Sequence, residues 1–321
     1  MKTIRWGIMG LGNIANKFAQ DLSLVPGSTL QAVASRSQDK AEAFAKTYRA
    51  QNYYGDYESL AQDKNVDVIY IATPHVKHYQ NTLLCLNNKK AVLCEKPFAM
   101  QAGQVEEMIA SAKENQTFLM EALWTKVLPH FQFVEQGLNS GKYGKIQTIT
   151  ADFCFKKKVN PSGRLFNKEL GGGSLLDIGI YPIFLALALL GEPEDFSAKA
   201  KIGKTGVDET CEMTFSYPEA KAYLKSSIVK KTPSIATIIC EHGIIVMNSR
   251  FHDTDKITTI LNGKKEEHDF EYKGHGYELE AMYVADLLRG GKLESDLMSH
   301  DFSRKLIAML DAVREEIGLK Y

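Results

Sequence analysis

The chain opens with a short, mostly apolar run from Ile4 to Met9 that stops at glycines. Asn13 to Leu24 then spaces Ile14, Phe18 and Leu22 at helical intervals. Thr29 to Ala34 reads as a second strand, and Asp39 to Tyr48 as an alanine-rich helix. Val66 to Ala72 and Ala91 to Cys94 are continuous apolar runs of strand length, each followed by a helical pattern, and Thr117 to Met120 resembles one more. Strands alternating with helices predict βαβ units and a doubly wound parallel sheet of the Rossmann kind. Beyond about Trp124 the pattern changes. A helix over roughly Pro129 to Asn139 leads into a long strand, Lys145 to Phe155, in which Ile149, Ala151, Phe153 and Phe155 share a face. A glycine run precedes an apolar helix, Ser174 to Leu190. Short strands from Ala198 to Phe270 are punctuated by Tyr217-Pro218, His242-Gly243 and Asn262-Gly263. Helices over Tyr277 to Arg289 and His300 to Ile317 close the chain. The expected fold is therefore α/β: residues 1–122 as a Rossmann-type domain, and residues 123–321 as an α+β domain with a large, mostly antiparallel open sheet.

Composition narrows the class. The 321 residues, 44% hydrophobic and 24% charged, suit about two globular domains and exclude disorder or a collagen-like repeat. Thirty-nine basic residues balance thirty-nine acidic ones, so no overall field draws the protein to nucleic acid or to an anionic membrane. Five scattered cysteines with no CxxC spacing predict reduced thiols and a cytoplasmic setting. No apolar run approaches a membrane span in this pattern, and no leader is expected. His75 and His78 are three apart, with no third metal ligand at useful spacing.

Gly10-Leu11-Gly12-Asn13-Ile14-Ala15 reads G-x-G-x-x-A between a strand and a helix. The first glycine permits a tight turn, the second lets a pyrophosphate approach the backbone, and the small third residue allows close helix–strand packing. Free amides over Asn13 and Ile14, at the helix start, then hold the phosphates. The second strand ends Ala34-Ser35-Arg36-Ser37, without the carboxylate that would bind the ribose hydroxyls of NAD. Arg36 pairs naturally with a 2′-phosphate, and Ser35 and Ser37 offer hydroxyls. NADP(H) is the expected cofactor, with NAD(H) an alternative. Thr73-Pro74 and Glu95-Lys96-Pro97 close two further strands, at the carboxyl edge where ligands of open α/β sheets bind.

With Gly10-Leu11-Gly12, Thr73-Pro74 followed by His78, Glu95-Lys96-Pro97, and the run Gly171-Gly172-Gly173-Ser174-Leu175-Leu176-Asp177-Ile178-Gly179-Ile180-Tyr181-Pro182, the chain resembles the glucose-fructose oxidoreductase/inositol dehydrogenase (Gfo/Idh/MocA) family along nearly its whole length. Met120-Glu121-Ala122-Leu123-Trp124, Gly163-Arg164-Leu165-Phe166 and Glu294-Ser295 are most similar to its dimeric dihydrodiol dehydrogenase and NADP-linked D-xylose dehydrogenase branch. The resemblance implies that Lys96 is the central active-site lysine, that Asp177 and Tyr181 are its catalytic companions, and that Thr73, Pro74, His78, Glu95 and Lys96 line the cofactor cleft. The family often has histidine where Tyr181 stands; tyrosine favours the dihydrodiol, xylose and glucose-fructose groups.

Asp177 and Tyr181 are four apart and would share a helical face. The expected chemistry is hydride transfer between NADP(H) and a carbinol carbon of a sugar or cyclic diol, at an aldose C1 or on a trans-dihydrodiol. In one assignment Tyr181 carries the proton, Lys96 tunes it and Asp177 orients the substrate; in the other Lys96 is the base and Tyr181 binds. Trp124, Tyr277 and Arg164 are substrate-contact candidates, and Lys156-Lys157-Lys158 reads as a solvated loop. Gly274-His275-Gly276 reads as a flexible turn. A half-polar face (Ile146, Thr148, Thr150, Cys154) predicts a homodimer through the second sheet. The competing function is an NADP(H)-sensing regulator without turnover, which has no need of Lys96, Asp177 and Tyr181 together.

Overall fold

The structure is a computed structural model and describes residues 2–321. Strands β1 (Ile4–Met9), β2 (Ser28–Ala34), β3 (Asn52–Tyr54), β4 (Val68–Ile71), β5 (Ala91–Glu95) and β6 (Leu119–Ala122) form a parallel sheet in the order β3-β2-β1-β4-β5-β6. Helices α1 (Asn13–Leu22), α2 (Gln38–Tyr48), α3 (Tyr57–Gln62), α4 (His78–Asn87) and α5 (Ala102–Glu114) connect them. β4, β5 and β6 are buried at every position, which is why β4 and the first four residues of β5 read as apolar runs, whereas Glu121 interrupts β6. The chain reverses direction across the sheet between β1 and β4, the switch point at which open α/β sheets bind ligands. β3 and α3 lie outside the sequence expectation because each is short; α3 is marked only by the Asp56 cap, which accepts from the Ser59 amide at 2.7 Å.

The second sheet has eight strands: β7 (Ile146–Cys154), β8 (Asp195–Ile202), β9 (Asp208–Ser216), β10 (Lys221–Ser227), β11 (Ala236–Cys240), β12 (Gly243–Met247), β13 (Lys256–Leu261) and β14 (Lys264–Asp269). Their order is β14-β13-β12-β11-β7-β10-β9-β8, antiparallel except for the parallel pair β10 and β7. Helix α6 (Pro129–Asn139) precedes this sheet, and α7 (Ile180–Leu190) packs against β7 and β10. The expected single helix from Ser174 begins instead as a π-helical turn, Leu175–Gly179, that runs into α7. The stretch Lys168–Leu190 is long and apolar enough to cross a membrane, which the sequence pattern did not predict. Its most apolar window is 83% buried in the protein, the signature of a core helix.

Helices α8 (Tyr277–Arg289) and α9 (His300–Glu316) complete the fold. The chain divides into two compact units, residues 1–127 with 272–304 and residues 128–271 with 305–321. This differs from a single cut after residue 122, because residues 272–304 return to the first sheet. α8 packs on α1, the Leu119 amide donates to the Leu293 carbonyl at 3.2 Å, and Ser303 Oγ donates to Glu121 Oε2 at 2.8 Å. The division falls inside α9.

Candidate active site

In the first unit the turn after β1 is built by backbone geometry. Gly10 has φ +89°, and a Cβ there would lie 2.8 Å from Thr73 Cγ2 and 3.0 Å from the Ala72 carbonyl group. Only glycine lets the ends of β1 and β4 come this close. At Gly12 the reverse holds: a Cβ would meet nothing within 4 Å. Gly12 caps α1 without any side chain accepting from the first-turn amides, so the amides at Asn13 and Ile14 stay available to a phosphate. A tight first glycine, an open second and an uncapped helix start fit a dinucleotide pyrophosphate.

β2 delivers Ser35, Arg36 and Ser37. Ser35 is buried and its Oγ accepts from the Ser37 amide at 3.3 Å, while Ser37 caps α2 by accepting from the Lys40 amide at 3.4 Å. Both hydroxyls thus shape the turn, and Arg36 stands exposed at its tip.

The ends of β4 and β5 are tied together. His78, fully buried, places Nδ1 2.8 Å from the Pro97 carbonyl oxygen and Nε2 2.8 Å from that of Thr73. Asn81 donates to Thr73 Oγ1 at 3.0 Å. His78 therefore braces the Lys96 turn through its ring nitrogens, whatever else it touches. Lys96 is half-buried, and the Lys96–Pro97 peptide is cis. Glu95 accepts a short hydrogen bond from the Tyr70 hydroxyl. Burial and the Glu95 charge push the Tyr70 phenol up, so it stays protonated.

Two further carboxyls stand near this turn, and the sequence reading missed both. Glu121 is pushed up to about 7 by burial, a rise opposed by hydrogen bonds from Ser303 and the Phe98 amide and by the charge of Lys96. Glu280, on the buried face of α8, is raised by burial and then by Glu95, and neither of its oxygens has a hydrogen-bond partner in the protein. A carboxylate placed in register with Tyr277, Ala281 and Val284 on an apolar helix face was its only sequence signal.

Trp124 and Tyr277 are both buried and stack on each other at 4.5 Å and 3°. Tyr277 also meets Phe18 edge-on at 6.4 Å, so these two substrate candidates form a packed aromatic wall. The turn before Tyr277 is pinned: Asp21 Oδ2 accepts from the amides of His275 at 2.7 Å and Tyr277 at 3.0 Å, and Asp21 Oδ1 lies 2.9 Å from His275 Nδ1. The expected flexible turn is in fact anchored by an aspartate from α1.

In the second unit Asp177 sits in the π-helical turn and Tyr181 in the first turn of α7, both 6% exposed. Arg164 donates to both Asp177 oxygens, at 2.9 and 3.2 Å, a bidentate pair. The Tyr181 ring packs against Phe153 at 5.5 Å and His252 at 4.9 Å. Arg164 is locked in place because its own segment is clamped by the glycine loop. The Gly173 amide donates to the Leu165 carbonyl at 2.9 Å and the Gly172 amide to Asn167 at 3.0 Å; a Cβ on Gly172 would sit 2.6 Å from the Arg164 carbonyl oxygen. Asp208, at the start of β9, holds the other side of this loop. It accepts from Ser174 Oγ and from the Leu175 amide, each at 2.7 Å, and burial pushes its carboxyl up to about 7. Among the described residues no group of three or more His, Cys, Asp or Glu converges as a metal site would require.

Comparison with known proteins agrees with both units. Residues 4–123 match the model of an oxidoreductase family with an NAD-binding Rossmann fold, and residues 131–246 that of a GFO/IDH/MocA C-terminal domain. The chain is 37% identical to a trans-1,2-dihydrobenzene-1,2-diol dehydrogenase of Xenopus tropicalis, over 99% of each chain. It is 33% identical to the Homo sapiens protein of the same name, over 99% of this chain and 98% of that one. A 3-ketoreductase from Actinomadura kijaniata, solved with NADP, shares the fold at a TM-score of 0.90, 24% identity and 98% coverage of both chains. A levoglucosan dehydrogenase solved with NADH and levoglucosan does so at 0.90 and 18%, over 99% of this chain and 98% of that one. Full-length identity at this level and two family matches in chain order, over the very strand ends and glycine loops described above, make the chain a member of the Gfo/Idh/MocA oxidoreductases, in their dihydrodiol dehydrogenase branch.

Proposed function

We propose that the protein is an NADP(H)-linked dehydrogenase acting on a CH–OH group of a trans-dihydrodiol or an aldose. The carrying observation is the switch point of the first sheet. The Gly10 turn after β1 abuts Thr73 after β4, and His78 ties Thr73 to the turn bearing Lys96. A dinucleotide on the Gly12 amides is thereby set in the same sheet edge as an ammonium group. When bound, the nicotinamide supplies or accepts the hydride. Arg36, exposed where NAD enzymes carry a carboxylate, supports a preference for the 2′-phosphate of NADP(H), with NAD(H) accepted more weakly.

This chain's residues then divide the work. Tyr181 Oη gives the proton in reduction and takes it in oxidation, Lys96 is the charged group at the cofactor edge, and Asp177, fixed by Arg164, orients the substrate hydroxyls. A homodimer through the open face of the second sheet is part of the same proposal. Thr150 and Tyr223 are exposed there beside a depression of about 610 Å³. Five buried free thiols support a cytoplasmic setting. The test is NADPH formation from NADP⁺ across a panel of aldoses, inositols and cyclic trans-diols, with Lys96→Ala and Tyr181→Phe beside the wild type. Turnover of one compound should fall by at least about 100-fold in both variants. Near-normal turnover by Tyr181→Phe would reassign the proton to another group.

A further inference from the structure

The parallel pairing of β7 with β10 brings together two lysine runs, Lys156 to Lys158 and Lys230 to Lys231, whose nearest members lie 72 positions apart in sequence. Ser227 pairs with Cys154, the Phe155 amide donates to the Ser227 carbonyl at 2.9 Å, the Lys157 amide donates to the Ile228 carbonyl at 2.9 Å, and Lys156 bridges Val229. Lys156, Lys157 and Lys158 thus lie alongside Lys230 and Lys231. The second run is also fixed at its backbone, because Ser227 Oγ accepts from the amides of Val229 at 3.3 Å and Lys230 at 3.1 Å.

These lysines border the catalytic turn. Ile178, next to Asp177, is buried with Phe166, Val207 and Ile228, and Phe155, Leu165 and Val229 pack on that cluster. Phe153 packs there too, and the other three packed residues each adjoin a cation in sequence: Phe155 precedes Lys156, Leu165 follows Arg164, and Val229 precedes Lys230. Segments 155–166 and 226–233 together hold six cations and no carboxylate. Arg164 is committed to Asp177, and the nearby Asp152 accepts a short hydrogen bond from the Thr232 hydroxyl. The five lysines are exposed, and none forms an ion pair among the described residues. In a chain whose charges cancel only in total, five uncompensated ammonium groups at one sheet end form a local anion field.

We propose that this cluster binds a phosphoryl group carried by the substrate, so that the physiological substrate is a phosphorylated sugar or polyol rather than a neutral one. This rests on the hydride-transfer reading and adds the substrate's charge to it. Lysines meet a phosphoryl dianion as movable point charges, while the Arg164–Asp177 pair, half-buried through Asp177, faces the hydroxylated part.

The test uses the full chain with NADP⁺ at constant ionic strength, kept with chloride. KM is measured for aldoses and for their terminal phosphate monoesters, and thermal unfolding is followed with and without inorganic phosphate. In the wild type the monoester of the accepted aldose should show a KM at least about tenfold lower, and phosphate should raise the unfolding midpoint. In Lys157→Glu/Lys230→Glu the ratio of the two KM values should collapse towards one and the protection should vanish. Equal KM values in the wild type, or a ratio that survives the double substitution, would overturn the proposal. So would phosphate protection without a KM advantage, which would make free phosphate the ligand. Turnover of neutral compounds alone would leave hydride transfer standing and remove the phosphoryl site. No turnover of any compound, with binding of the monoesters lost on charge reversal, would sink hydride transfer and keep the site.

Discussion

Asp208 offers the sharpest test of how the turn bearing Asp177 is held. Its carboxyl is fully buried, takes hydrogen bonds from Ser174 and the Leu175 amide on Oδ2, and has no partner on Oδ1. Burial raises it from an ordinary 3.8 to about 7. A folded-state value above the unfolded one means that the native protein binds the proton more tightly. The contribution to stability is therefore complete below about pH 4 and is lost as pH rises towards 7. A difference of about three pH units at 1.36 kcal/mol each is about 4 kcal/mol, lost over that window and constant above it. Asp208→Asn keeps the shape and an acceptor for Ser174 and Leu175 but cannot ionise. Urea midpoints of the two proteins, measured from pH 4 to 8, should nearly coincide at pH 4 and diverge in the variant's favour up to about pH 7. The native acid and the amide each leave one polar atom facing Gly173, so that cost, ~1–3 kcal/mol, largely cancels. A difference between the curves that stays flat from pH 4 to 8 would refute a neutral Asp208. It would mean that the loop before Asp177 is held by a carboxylate.

Three other outcomes follow from the geometry. Gly10→Ala puts a Cβ 2.8 Å from Thr73 Cγ2 at φ +89°; it should cost ~1–2 kcal/mol in conformation alone and weaken NADPH in a fluorescence titration, and unchanged affinity would reject the Gly10 turn as the phosphate cradle. Arg36→Ala should weaken NADPH by ~1.5–3 kcal/mol and leave NADH unchanged, so equal losses for the two cofactors would remove Arg36 from the 2′-phosphate. Asp21→Ala frees the amides of His275 and Tyr277; it should lower stability by ~1–2 kcal/mol and speed hydrogen exchange at the start of α8, and unaltered exchange there would show that another group anchors the turn.

What was legible in the sequence was local. β4 and the stretch Ala91 to Cys94 of β5 announce themselves because burial on both faces demands apolar runs, β1 does so with Arg5 as its one break, and Gly10 because its backbone angle admits little else. The π-helical turn was hidden for a related reason: Leu175 to Leu187 is buried throughout, so no polar face records the period of the helix. Long-range partnerships were hidden more deeply. Nothing near Asp208 says that it will meet Ser174, and nothing near Asp21 says that it will cap α8, because each depends on elements that sheet pairing or helix packing brings from elsewhere. Arg164 and Asp177 were both singled out from the sequence, yet for separate duties; the glycine clamp that makes them one unit appears only when the loop is folded. The lysines make the same point. Lys156 to Lys158 alone are an ordinary solvated run, and only the parallel register of β7 and β10 sets Lys230 and Lys231 against them without a compensating carboxylate. Residue chemistry can be read along the chain, but the sign and density of charge around a site follow from strand order.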